Sequence, residues 1–367
     1  MEKFTMNDTT IAFIGLGLIG GSLAKGIKKA RPDIRIMAYM RTRSKLEQAK
    51  KDGIVDVILD GIDEQLKQCD LIFLCTPVEY NAQYLSKIRS YLKPGALITD
   101  VGSTKTDIHK EILRQGLTDC FVGGHPMAGS EKTGYENATD HLLENAYYIV
   151  TPPEGFNQNG CGYGDISLKY SENVKRIIAV AQTVGAIPLV LDYKEHDTVV
   201  AAISHLPHLV ASSLVNLVKD SDSPAETMKQ VAAGGFKDIT RIASSSPEMW
   251  KQICMTNAEP IADMLERYID SLQDILSEIK GHQGNAIYKL FEKSRDYRNT
   301  ITDRAKGSVE PSYAFSVDMA DEVGAISTIA VILAAKGISI KNIGIIHNRE
   351  FEDGVLHIEF YDHDALE

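Results

Sequence analysis

The stretch Ile11–Gly21, IAFIGLGLIGG, decides the fold. It sets Gly15, Gly17 and Gly20 in G-x-G-x-x-G spacing, after a β-rich apolar run and at the mouth of a helical segment. The three glycines serve different physical ends, namely a tight turn, close approach of the backbone to a pyrophosphate, and close packing of helix on strand. The helix that follows offers free amides and a partial positive charge to phosphate groups. The spacing alone is a weak signal. Its position between strand and helix makes it a dinucleotide-binding turn.

Working outward, short apolar runs at Ile11–Ile14, Ile34–Tyr39, Leu71–Cys75, Ala96–Asp100 and Tyr147–Val150 read as strands. Helical patterns at Gly21–Ala30, Ser44–Asp52, Asn81–Tyr91 and Lys105–Arg114 lie between them. This alternation predicts parallel βαβ units in a doubly wound α/β sheet. The continuously apolar LIFLC suits a strand covered on both faces. A Pro-, Gly- and Asn-rich surface loop (Thr151–Ser171), a helix (Glu172–Val184) and a strand (Ile187–Leu191) complete a first domain, residues 1–192. Helical patterns then dominate residues 193–305, with breaks at Ser221–Ser223 and Ser244–Pro247. A small α+β unit, residues 312–367, follows: strand Tyr313–Met319, helix Val323–Lys336, strands Ile338–Ile346 and Val355–Tyr361.

At 367 residues the chain exceeds one comfortable core, which agrees with several domains. A net charge of −11 argues against nucleic acid or an anionic membrane as partner, since both need a basic surface. An anionic substrate must therefore be drawn in by locally placed cations. The five scattered cysteines show no CxxC pair or zinc spacing and suit a reducing cytosol. The N-terminus lacks the pattern of a signal peptide, and no metal-ligand cluster stands out. No apolar run approaches the about 20 residues of a membrane helix, so a soluble, cytoplasmic protein is expected.

Which dinucleotide binds is open at this level. The second strand runs into Met40–Arg41–Thr42–Arg43–Ser44 without the carboxylate that usually binds the adenosine ribose of NAD. Arg41, Arg43 and Ser44 could hold the 2′-phosphate of NADP; equally, the arginines could be a solvated face or stack on adenine.

Three later stretches carry chemistry. ITDVGSTK places Ser103 and Lys105 at the carboxyl end of a strand, where ligands bind in open α/β sheets; Ser103 belongs near the nicotinamide, or caps the next helix. In GGHPMAGSEKTG, Gly123 and Gly124 precede His125 in a constrained loop that fixes the imidazole outside a strand end, with Glu131 and Lys132 on the polar turn beyond. In the helical region ISHLPHLVA sets Ser204 and His208 four apart on one face. There AAGGFKDITRIASSSPEMW carries Asp238, Arg241 and the only tryptophan, Trp250. Taken singly, the arginine reads as an ordinary ion-pair residue.

Together, GLGLIGGS, DVGSTK, HPMAGSEKTG, SHLPH and GGF-x-D-x-TRIA, in this order, resemble the prephenate dehydrogenase family over about residues 10–300. The resemblance implies a modified Rossmann domain, then an all-helical domain that dimerises, with the active site between them. It implies oxidative decarboxylation of prephenate to 4-hydroxyphenylpyruvate with hydride transfer to NAD(P), in tyrosine biosynthesis. It makes His125 the catalytic histidine and Ser103 the serine that hydrogen-bonds the same substrate hydroxyl beside the nicotinamide. Arg241 binds a substrate carboxylate, while Ser204, His208, Glu131, Asp238 and Trp250 line or gate the pocket. Lys237 departs from the family's usual arginine, keeping the charge but losing a bidentate fork.

The run from Val317 to Phe360 resembles an ACT domain, a ferredoxin-like βαββαβ module that binds amino acids, here incomplete. The resemblance implies tyrosine as effector, with Asp321, Gly324 and Asn342 at the usual ligand positions. The competing functions are arogenate dehydrogenase, a β-hydroxyacid dehydrogenase, and a non-catalytic nicotinamide- and amino-acid-sensing regulator. The β-hydroxyacid enzymes rely on a helix-borne lysine and give the His125 loop no role.

Overall fold

The computed structural model describes residues 9–129, 132–153, 171–301, 313–319, 324–346 and 354–360. It divides into two compact units, Met1–Ala305 and Lys306–Glu367.

In the first unit, β1 (Thr10–Ile14), β2 (Arg35–Tyr39), β3 (Val57–Ile58), β4 (Leu71–Leu74) and β5 (Leu97–Asp100) form a parallel sheet in the order β3-β2-β1-β4-β5. This is the doubly wound order of dinucleotide-binding sheets. The helices α1 (Leu18–Ala30), α2 (Arg43–Lys51), α3 (Asn81–Ile88) and α4 (Thr106–Gln115) connect the strands. Alternate strand residues feed two cores: Ile11, Phe13, Ile36 and Phe73 enter one, and Ala12, Ile14, Met37 and Ile72 the other. Period-two alternation in a sheet buried on both faces produces this division.

A second sheet continues the first. Strand β6 (Gly123–Pro126) runs antiparallel to β7 (Tyr147–Thr151), which pairs in parallel with β8 (Ile187–Val190). The bridge Ile98–Phe121 and the 3.0 Å bond from Val122 N to Ile98 O tie β5 to the approach of β6. His125 therefore lies on a strand, opposite Ile149, and the expected loop is corrected. The Gly-Gly pair before it disguises the strand, yet both glycines are needed for close packing. A Cβ on Gly123 would lie 2.2 Å from Thr151 Oγ1, and one on Gly124 2.7 Å from Tyr148 Oη.

After α5 (Glu172–Thr183) the described chain to residue 301 is helical apart from β8: α6 (Tyr193–Val200), α7 (Leu206–Ser221), α8 (Thr227–Gln230), α9 (Gly234–Thr240), α10 (Pro247–Thr256), α11 (Ala258–Lys280) and α12 (Gly284–Thr300). A π-helical turn at Ala201–His205 joins α6 to α7 in one rod, Tyr193–Ser221. By length and composition this rod is apolar enough to cross a membrane, which corrects the sequence expectation that no segment was. Its polar His196, Asp197 and His205 hid the run, and all three are buried against partners inside the chain.

The second unit contains β9 (Tyr313–Met319), α13 (Ala325–Ala335), β10 (Ile340–Ile346) and β11 (Gly354–Phe360), in an antiparallel sheet ordered β10-β11-β9. Leu356, Ile358 and Phe360 of the central strand pack against Phe315, Ile329 and Leu333.

Candidate functional site

The glycine-rich turn lies at the carboxyl end of β1. Gly15 holds φ at +95°, and its amide donates to Tyr39 O at 2.8 Å. A Cβ there would stand 2.5 Å from Cys75 O, so only glycine suits both the dihedral and the space. On Gly20 a Cβ would meet Gly15 O at 2.8 Å; around Gly17 there is open space. The turn thus packs tightly where α1 meets β4 and stays open where a ligand would approach. The first turn of α1 contains no acidic residue to oppose an anion.

Beyond β2, Arg41 is exposed and lies over the Tyr80 ring, 5.4 Å from its centroid. Arg43 binds the carboxylates of Asp60 and Glu47. A guanidinium held by two carboxylates is a poor seat for a 2′-phosphate.

Ser103 follows β5 and is half-buried. It does not cap α4. The Asp197 carboxylate, reaching over from α6, accepts from Lys105 N (2.8 Å) and Thr106 N (2.7 Å) and satisfies the amides of that helix start. Thr104 Oγ1 lies 3.0 Å from Thr256 Oγ1 of α10, a second link from this loop to the helical region.

Lys105 is fully buried, with its ammonium on the Asp100 carboxylate and on Gly124 O at 2.7 Å. Asp100 also accepts from Gly102 N (2.9 Å) and Gly124 N (3.2 Å). Burial pushes the lysine below its ordinary value and Asp100 opposes that shift. The pair clamps the end of β5 to the strand that carries His125.

His125 Nδ1 lies 2.8 Å from His196 Nε2, and His196 Nδ1 lies 2.8 Å from Asp197 Oδ1. Burial holds the His125 imidazole well below its usual range, and the nearby His196, Lys105 and His205 push the same way. It is therefore neutral near pH 7, the form a general base needs. Burial also brings His205 down to about 4. Asn257 Nδ2 bridges Asp197 O (2.8 Å) and His205 Nδ1 (3.1 Å).

From His205 the site continues along the rod. The Trp250 ring meets His205 edge-on at 5.9 Å and stacks on His208 at 3.8 Å. His208 Nδ1 donates to Ser204 O at 2.9 Å, so these two residues, read as sharing one face, are joined through the main chain. Burial lowers His208, and the Arg241 charge adds to the effect, which puts that guanidinium within electrostatic reach. The Trp250 indole N–H is buried without an acceptor among the described residues.

Hydrogen bonds thus run from His125 through His196, Asp197 and Asn257 to His205, and ring contacts join His205, Trp250 and His208. Arg241, itself exposed, acts on His208 through its charge. Asp238 is exposed on α9, and Glu131 lies outside the described residues. Sequence reasoning missed His196, Asp197, His205 and Asn257, and named Lys105 without a role. The one available signal was the spacing of EHD and SHLPH along a single rod.

Comparison with known proteins agrees with this geometry. Residues 23–160 match the prephenate dehydrogenase nucleotide-binding domain, and residues 192–293 match the prephenate dehydrogenase dimerization domain. The chain is 38% identical to a prephenate dehydrogenase of Bacillus subtilis over 359 residues, covering 97% of this chain and 93% of that one. Among solved structures it resembles the A. aeolicus prephenate dehydrogenase in complex with hydroxyphenyl propionate and NAD+ (TM-score 0.71, 29% identity, 80% of this chain and 98% of that one). It also resembles Synechocystis arogenate dehydrogenase (TM-score 0.68, 28% identity, 80% of this chain and 100% of that one). The chain belongs to the prephenate dehydrogenase family.

Proposed function

We propose that this protein is a soluble, NAD-dependent prephenate dehydrogenase of tyrosine biosynthesis. The observation that carries the reading is a neutral, half-buried His125, hydrogen-bonded through His196 and Asp197 to the helical rod that also carries His205 and His208.

Gly15, Gly17 and Gly20 with the start of α1 would hold the pyrophosphate, and Arg41 would lie near the adenosine end. Family membership and the neutralised Arg43 support NAD over NADP. When bound, the nicotinamide supplies the hydride acceptor for C4 of prephenate. His125 takes the proton of the C4 hydroxyl, and Ser103 hydrogen-bonds the same oxygen. The bond to the ring carboxylate then breaks, CO₂ leaves, and its electron pair makes the ring aromatic. Arg241 receives a substrate carboxylate as a planar fork. Ser204, His208, Asp238, Glu131 and Trp250 line or gate the pocket, where the unpaired indole N–H is a ready donor to an anionic substrate.

Replacing His125 by Asn tests the reading. Turnover should fall by about 10²–10⁴, the usual contribution of a general base, while NADH affinity measured by fluorescence stays unchanged. Undiminished turnover in that variant refutes it. The likeness to Synechocystis arogenate dehydrogenase supports a second reading, arogenate as substrate, which parallel assays of both compounds decide.

Two further features belong to this proposal. Ile269, Leu272, Leu276 and Ile279 expose apolar surface along one face of α11, which suits a homodimer through the helical region. The apolar outer side of the rod Tyr193–Ser221 goes with that face, since its polar residues bind inside the chain as in a core helix. In the second unit the strand order β10-β11-β9 with one helix supports an ACT-like module that binds tyrosine. Gly324, at φ +92°, opens α13, and Asn342 is exposed on β10; Asp321 lies outside the described residues. A thermal shift on adding tyrosine tests this.

A further inference from the structure

We propose that His196 and Asp197 are positioning residues that lock His125 into one tautomer, leaving Nε2 as the atom that accepts the substrate proton. This rests on the reading of His125 as the base and deepens it.

The tautomer follows from donors and acceptors along a buried chain. The Asp197 carboxylate accepts from Lys105 N and Thr106 N and lies 2.8 Å from His196 Nδ1. A carboxylate only accepts, so His196 Nδ1 must carry the proton. Although burial alone would raise Asp197, the bonds from His196 and Thr106 hold it below the usual carboxylate range, which keeps it an acceptor. His196 is itself lowered, chiefly by burial, and is therefore a neutral ring with a bare Nε2. That Nε2 lies 2.8 Å from His125 Nδ1 and can only accept, so His125 Nδ1 is the donor. His125 Nε2 is then the lone pair.

The charged and titratable groups around the two rings are Asp197, Asp100, Lys105 and His205. Lys105 is taken up by Asp100 and Gly124 O, and His205 Nδ1 by Asn257. Neither competes for the bond between the two histidines. When His125 gains a proton at Nε2, its Nδ1–H bond to His196 becomes charge-assisted and strengthens. The interaction is therefore stronger in the transition state than before it, which is the condition for accelerating a step.

Two measurements test the proposal on the full chain. Long-range ¹H–¹⁵N spectra of histidine-labelled protein, with the His125→Asn variant to identify the signal, should show His125 as the Nδ1–H tautomer near pH 7.5. An Nε2–H tautomer overturns the proposal, whatever the substrate proves to be. In kinetics, His196→Leu removes the acceptor, and His196→Gln offers a carboxamide oxygen in its place. The leucine variant should lose about 10–100-fold in kcat, part of the usual general-base effect, with both KM values within about twofold. Its acid limb should move to lower pH, because the His125 cation has lost its partner. The glutamine variant should recover part of both. Equal losses in the two variants with an unmoved acid limb overturn the proposal. If the leucine variant does not fold, the tautomer and the glutamine variant decide. A wild-type enzyme inert towards prephenate but showing the Nδ1–H tautomer refutes the proposed reaction and leaves the hydrogen-bond assignment standing.

Discussion

Lys105→Met should be the most informative single change for stability, and its size follows from the geometry. The ammonium and the Asp100 carboxylate are both essentially inaccessible to water, at 0% and 1% exposure. Removing one partner of a buried pair typically costs about 3–5 kcal/mol, because the other charge is left uncompensated. An independent bound comes from protonation. A stranded carboxylic acid escapes by taking up a proton, which at pH 7 costs about 1.4 kcal/mol for each unit above the ordinary value near 3.9, or about 4 kcal/mol. The two routes agree, and the second carries a sign. In the variant the folded state holds a proton that the unfolded state releases, so the deficit shrinks as pH falls, to about 1.5 kcal/mol at pH 5, and grows towards pH 7. Adding Asp100→Asn removes the charge and should remove this pH dependence. Urea denaturation of the three proteins from pH 5 to 8, followed by circular dichroism, measures it. A Lys105→Met midpoint equal to wild type at pH 7, or a deficit that does not change with pH, would show that no uncompensated charge is left behind.

Other expectations follow from separate parts of the molecule. Gly15→Ala forces a Cβ into Cys75 O at φ +95° and should cost about 1–3 kcal/mol while abolishing NADH binding, as read by fluorescence titration. Burial lowers His109 to about 3 and His205 to about 4, so both take up protons mainly on unfolding. Their stabilisation is complete above about pH 6.5 and is lost as pH falls, at up to about 1.4 kcal/mol per unit for each; His109→Gln should flatten that slope in urea midpoints. Leu276→Asp on the exposed face of α11 should halve the mass seen by light scattering while leaving the circular dichroism unchanged.

The parallel sheet was legible because its strands are short apolar runs between amphipathic helices, and because Gly15, Gly17 and Gly20 fall between the first such run and the first helical pattern. His125 was legible as a residue but not as part of a strand: two glycines read as a loop until Thr151 and Tyr148 are seen to leave no room for a Cβ. The role of Lys105 was invisible. A lysine at a helix start looks solvated, and only the placement of β6 beside the end of β5 adds Gly124 O to Asp100 around its ammonium. The supports of His125 come from 71 residues further on, a distance that local pattern does not span.

The least legible feature, the π turn at Ala201–His205, has a geometric consequence for the site. Successive residues of an α-helix are about 100° apart, so an uninterrupted helix would set His205 about 80° around the axis from Asp197, eight residues earlier. One extra residue absorbed in a π turn returns it to the place a seventh residue would hold, about 20° away. Asp197 and His205 then share a buried stripe, and Asn257 reaches both, through Asp197 O and His205 Nδ1. On the outer side of the same turn Ile203 is 64% exposed. The same shift carries His208 onto Trp250, so one local irregularity aligns the support of His125 with the aromatic pair that leads to Arg241. A heptad or 3.6-residue reading of EHDTVVAAISHLPH misplaces every one of these side chains after Val200, because an inserted residue leaves no mark in composition.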